Sequence, residues 1–216
     1  MTTPPPVGTP LEHALAYPRA SVNTLDPRNA MARVLAAYLS CLEFRRSDGR
    51  GGSDRFTLER VSEEWPDPSQ ELIEPTATVL DRGEVPYQEH HLTPTPCEDT
   101  LDLYCPGTVM WKTAEAVSTF SVDVWTPDLP TREAILAAVP AAFCPSEVRA
   151  GVLLQGDPEY FGLAVRATLL NHRRIDAEAA VYENERRAQL EVRCEIPVVH
   201  LRTVKVIEPR TQLDVT

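Results

Sequence analysis

Arg186-Arg187-Ala188-Gln189-Leu190-Glu191-Val192-Arg193-Cys194-Glu195-Ile196 is the stretch that decides the fold. Ala188, Leu190, Val192, Cys194 and Ile196 fall on one side of an extended chain, and Arg187, Gln189, Glu191, Arg193 and Glu195 on the other. Side chains of a strand alternate between its faces, so this is a long strand with one buried and one charged, wet face. Residues 160–170 show a similar pattern, with Leu163, Val165, Ala167 and Leu169 on one face. Two such strands predict an antiparallel sheet that carries helices on one side and leaves the other to solvent or partners. The fold class expected is therefore α+β: a mostly antiparallel sheet with two principal helices packed on one face, an extended N-terminal arm and a long loop insertion.

Working outward, Asp26-Pro27 opens the first helix. Aspartate caps free amide groups and proline fits the first helical position. Met31, Val34, Leu35, Tyr38 and Leu42 follow with helical spacing, and the helix should end before Arg45-Arg46. Residues 47–54, with Gly49, Gly51 and Gly52, read as a hairpin or loop; no lysine followed by Ser or Thr comes after the glycines, as a phosphate loop would need. Strands are expected at 56–61, 76–80 and 152–154. Residues 109–111 and 117–125 form either a hairpin or one long irregular strand. Within it Phe120, Val122 and Val124 share one face, and Ser121, Asp123 and Trp125 the other. Asp128 or Thr131 caps a second helix reaching about Phe143, with Ile135, Leu136, Val139 and Phe143 as its apolar stripe. Pro140 should bend it or end it early. Pro197 should stop the ladder of the last long strand, because proline has no backbone donor. Three regions result: a proline-rich arm at 1–25, a single domain at 26–203 with an extended loop at 81–107, and a tail at 204–216.

Hydrophobic residues make up 43% and charged residues 25% of the chain, ordinary values for a globular protein. The 20 prolines are about twice the usual share and cluster in the arm and between Trp65 and Pro106. The net charge of -11 disfavours sequence-independent DNA binding, which needs a basic excess to release counterions. It fits either a soluble surface or an acidic surface that faces DNA without holding it. No early basic region followed by an apolar run marks a signal peptide, and no run of ~18 apolar residues could span a membrane. Of the five cysteines, Cys41 and Cys194 read as small core residues, while Cys97 and Cys105 could bridge a loop without anything requiring it. A reduced, cytosolic assembly site follows as the expectation.

No pattern declares a chemistry. His90-His91, Cys97 and Cys105 lack the ligand spacing of a zinc site, and no metal or other cofactor is expected. His172 with Asp176 has no nucleophile in a recognisable elbow, and Asn171-His172-Arg173-Arg174 reads as an exposed strand end. Glu63-Glu64 are adjacent in a loop, and Cys144 has no identifiable histidine partner, so no enzyme is expected. Trp125 either packs under a helix or anchors a subunit contact, where tryptophan is enriched; Trp65 and Trp111 admit the same two readings.

The order helix, strands, Phe120-Ser121-Val122-Asp123-Val124-Trp125, capped helix and two long strands resembles the core of bacteriophage tail-terminator and neck (tail-completion) proteins. In that family a strand ending in a Val-Asp-Val-Trp-like sequence leads into a helix opening with Arg and Glu, matched here by Thr131-Arg132-Glu133. Pro158-Glu159-Tyr160-Phe161-Gly162 before a long strand is similar as well. The resemblance spans roughly 26–201. It implies a structural virion protein that closes into a ring, usually sixfold, at the head-proximal end of the tail. The ring would stop polymerisation of tube or sheath protein, join the tail to the head connector and let DNA pass through its lumen without specific binding. It also implies contacts through the arm at 4–23, through 81–107 and through 198–207; the candidate contact residues are Trp125, which closes the 117–125 strand, Glu191, Arg193 and Glu195 on the charged face of the last long strand, and Val198 and His200 beyond Pro197. The rival expectations are another neck, connector or tail-associated protein, and a small-molecule-binding or enzymatic domain with a deep pocket.

Overall fold

The computed structural model describes residues 26–47, 52–66, 74–82, 87–88, 95–96, 108–144, 151–175 and 186–203; at 87–88, 95–96, 108–110 and 200–203 only the backbone is described. The elements are α1 (Pro27–Cys41), β1 (Phe44–Ser47), β2 (Ser53–Phe56), β3 (Arg60–Ser62), β4 (Thr76–Asp81), β5 (Tyr87–Gln88), β6 (Thr95–Pro96), β7 (Thr108–Thr126), α2 (Leu129–Phe143), β8 (Val152–Leu154), β9 (Val165–Ile175) and β10 (Arg186–Thr203), with a 3₁₀ turn at Pro158–Tyr160. The fold is α+β, with two helices and a mostly antiparallel sheet. These residues fall in two compact units. The larger comprises 25–90 and 114–198; of the smaller, 95–96, 108–113 and 199–203 are described. In the smaller unit β6 pairs antiparallel with β7, Thr95 opposite Lys112 and Pro96 opposite Trp111.

In the larger unit the strand order is β3-β4-β7-β10-β9-β8. Among the described residues the β3–β4 pair is parallel, whereas β4–β7, β8–β9 and β9–β10 are antiparallel. The alternation in β10 has the expected consequence: Ala188, Leu190, Val192, Cys194 and Ile196 are all fully buried. They meet Phe120, Val122 and Val124 of β7 and Val165 and Ala167 of β9 in one apolar layer. Burying a leucine there contributes about 1.5–3 kcal/mol. Arg174, opposite Ala188, forms an ion pair with Glu133 of α2, so α2 lies on this apolar side. Burial also pushes the Cys194 thiol well above its ordinary range, which leaves it a neutral core residue.

Both helices start as their caps dictate. The Asp26 carboxylate accepts from the Arg28 amide at 2.9 Å, and the Asp128 carboxylate from the Thr131 amide at 2.7 Å. Ala30, Met31, Val34, Leu35 and Leu39 form the buried stripe of α1. The Tyr38 hydroxyl donates to the Ala142 carbonyl at 2.7 Å, and its ring meets Phe143 edge-on, tying the two helices together.

Several expectations are corrected. The second long strand starts at Val165 and runs to Ile175; Pro158–Tyr160 is a 3₁₀ turn, closed by Phe161 and Gly162 at positive φ. The strand expected at 56–61 is two strands, because the chain ends a hairpin at Phe56 and joins the main sheet at Arg60. In that hairpin Phe44 and Phe56 sit opposite and stack. The segment 109–125 is one strand, and part of the 81–107 loop is strand, as β5 and β6 show. β10 continues through Pro197, since β9 pairing ends at Glu195 and a missing donor beyond that point breaks no bond to it. Pro140 does not end α2, which runs on to Phe143; only one bond near the helix end is lost. Cys41, the last residue of α1, is exposed rather than core. The arm 1–25, the tail 204–216, His90, His91, Cys97, Cys105 and Asp176 lie outside the described residues.

Two measurements check this account. Leu190→Ala should lower unfolding free energy by about 2–5 kcal/mol in urea titration. The Arg28 side chain, donating to the Asp26 carboxylate, holds that group below the usual carboxylate range. A depressed acid stabilises the fold above its unfolded-state value and ceases to as pH falls through the folded one. Asp26→Ala should therefore cost about 0.5–2 kcal/mol at pH 7, and the difference from the parent should shrink as pH falls through the lowered folded-state value of Asp26.

Candidate functional site

The sheet face away from α2 carries a polar and aromatic cluster. Register sets Thr76 opposite Trp125 and Thr78 opposite Asp123, and places Gln189 opposite Arg173. A β-bulge is responsible for the last pairing. Leu169 faces Val192 but Asn171 faces Glu191, so Leu170 is the extra residue and is 51% exposed. The bulge switches the parity of β9, turning Arg173 to this face and Arg174 to α2.

Asp123 is 3% exposed, and its burial is tolerated because it is paired. Gln189 Nε2 donates to Asp123 Oδ1 at 3.1 Å and to Ser121 Oγ at 3.2 Å, while Gln189 Oε1 accepts from Arg173 Nε at 2.9 Å. Arg187 Nε lies 3.7 Å from Asp123 Oδ1. The Arg187 guanidinium also sits 5.0 Å from the Trp125 ring centre and 5.9 Å from that of Trp65. The two indoles meet edge-on at 5.5 Å. One cation is thus held by two ring faces and a buried carboxylate.

Among the described residues no helix covers Trp125: it lies on the face opposite α2, 3% exposed, beneath Trp65, which is 52% exposed and supplies the outward ring. Glu191 pairs with Arg82 at 3.0 Å, and Arg193 with Glu195 at 2.8 Å on the same strand. Val198 is half-buried, and the His200 side chain lies outside the described residues. Of the six candidate contact residues, the strand face brings Trp125, Glu191, Arg193 and Glu195 onto one surface. Sequence alone does not single out Arg187, Asp123 and Gln189. Their signal is parity on two strands, which becomes a site only once the register is known.

A second feature is a groove of about 770 Å³ between α1 and residues 154–159. Arg33 crosses its mouth. Its guanidinium bonds Glu159 at 2.6 Å and approaches Asp157 Oδ2 at 2.6 Å, and these carboxylates, Glu159 first, push it above its already high range. Gly156 packs so closely that a Cβ there would lie 2.0 Å from the Leu163 carbonyl oxygen. Among the described residues no three His, Cys, Asp or Glu side chains gather as metal ligands would, and no helix is long and apolar enough to cross a membrane. Comparison of the sequence with protein-family models and with curated proteins found no match in either.

Arg187→Leu, which leaves the buried Asp123 carboxylate with fewer donors, should cost about 1–3 kcal/mol in denaturant unfolding. Trp65→Ala should cost less, and the double variant should show a coupling of about 0.5–1 kcal/mol.

Proposed function

We propose that this chain is a structural subunit that closes into a ring, sixfold by resemblance, at the head-proximal end of a bacteriophage tail. It caps the last ring of tube or sheath protein and joins the tail to the head connector in the virion. The observation that carries this reading is the junction of β7 with α2. The Val122-Asp123-Val124-Trp125 run ends a long strand and passes, through the Asp128 cap, straight into a helix whose first turn holds Arg132 and Glu133. That is the place those residues hold in the tail-terminator and neck proteins that the sequence resembles. The aromatic cluster supports it further, since tryptophan and arginine are among the side chains most enriched where subunits meet. A chain of net charge -11 suits a lumen through which DNA slides without being held. The functional role is mechanical, and the ring interface is heterologous, each subunit using one surface to grip the opposite surface of the next.

The groove beside α1 favours a second reading, a small-molecule-binding domain, because its volume lies within the ~300–1,000 Å³ of ligand sites. Light scattering with negative-stain imaging of the full chain, alone and with tail tubes, separates the two. A ring in solution or on tube ends is expected. A compact monomer that ignores tubes overturns the ring and leaves the ligand site.

A further inference from the structure

The ridge Arg33, Ala37 and Cys41 runs along the exposed side of α1 at intervals of four residues. Beyond Arg33 it carries no charge, which is unusual for a helix face left to water. This ridge, with Val34 and Tyr38, forms one wall of the groove, and the segment 154–159 forms the other. Arg33 is matched by Asp157 and Glu159, so the mouth carries no positive excess. An acidic segment would be repelled there; a neutral, apolar one would not.

We propose that this groove receives residues 9–18 of the N-terminal arm of a neighbouring copy. The inference rests on the ring reading and names its subunit contact. Three observations carry it. Within a chain of net charge -11, residues 9–18 hold one charged side chain, Glu12, which Arg19 immediately after the segment balances, and residues 1–25 are neutral overall. Leu11, Leu15 and Tyr17 stand between Pro10 and Pro18 and supply apolar side chains of the size the groove takes. The arm joins the domain at Asp26, where α1 begins; 25 residues span up to about 80 Å when extended, several times the ~22 Å length of α1. Each subunit then offers an arm on one side and a groove on the other, the arrangement a closed heterologous ring requires.

A fluorescent peptide of residues 9–18 tests the docking without depending on assembly. It is titrated into the full-length chain whose own arm carries Leu11→Asp and Leu15→Asp. Saturable binding is expected. Adding Ala37→Trp, on the exposed ridge, should weaken it at least about tenfold by filling the site. Circular dichroism and melting temperature of that variant check that it folds. No saturable binding, or binding indifferent to Ala37→Trp, overturns the proposal whatever the mass of the chain. The exchange between copies is tested by mixing two full-length proteins, one with the disabled arm and one with Ala37→Trp. Dimers formed only in the mixture, with an intact arm in an intact groove, are expected. If the peptide binds but the mixture stays monomeric, the exchange is overturned. If the arm-disabled protein still forms rings, the proposal fails while the ring reading stands. If the full parent chain never assembles on tubes although the peptide binds, the ring reading fails and with it the neighbour as source of the arm.

Discussion

β10 is flanked by a strand on each side, and both its faces have to be satisfied at once. Its apolar side chains are sealed between sheet and helices, while its polar side chains lie on a surface that is itself partly covered. A one-residue slip of this strand would carry Arg187, Glu191 and Arg193 into the apolar layer, where unpaired charge costs several kcal/mol each. That penalty fixes the register against β7 and β9. The register in turn decides which side chains of the neighbouring strands meet. Asp123 can be buried because Gln189 and Arg187 arrive opposite it, and Trp125 is covered because Arg187 and Trp65 close over it.

Features whose cause is local are legible in the sequence. Asp26-Pro27 and Asp128 announce their helices because capping involves only the next three residues. The alternation of β10 predicts its buried face for the same reason. The bulge at Leu170 is not legible, because it is defined by a mismatch between two strands and leaves the pattern of β9 alone almost regular. The passage of β10 through Pro197 depends on where β9 stops pairing, which is again a property of two segments. Cys41 illustrates the opposite error: helical spacing puts it near an apolar stripe, but it continues the exposed ridge of Arg33 and Ala37, while Leu39 keeps the stripe buried in the same turn.

The candidate site divides along the same line. Trp125, Glu191, Arg193 and Glu195 can be placed on strand faces from sequence, since parity is local. Arg187 reads as one more charge on a wet face; its position between two indoles depends on Trp65, more than a hundred residues earlier. The groove leaves no trace in the sequence because one wall comes from the outward ridge of α1 and the other from a turn held by the Asp157 carboxylate and the Gly156–Leu163 approach.

The two surfaces differ in the kind of contact they can make. In the Trp65–Arg187–Trp125 cluster the cation, the carboxylate and the amide are already engaged, so a partner would gain mainly by covering Trp65. Such a patch favours a flat, rigid face-to-face contact. The groove is concave and its ridge uncharged beyond Arg33, so it gains most from side chains inserted into it. In the ring proposed above, which would have to close around a fixed axis and hold firm under tail assembly, both kinds would have a use. Flat faces set the angle between subunits, and inserted segments resist their separation, because an arm has to be withdrawn before the faces can part. Placing the inserted contact on α1, whose buried stripe packs on the same sheet, would couple that grip to the core and spare it from depending on a loop.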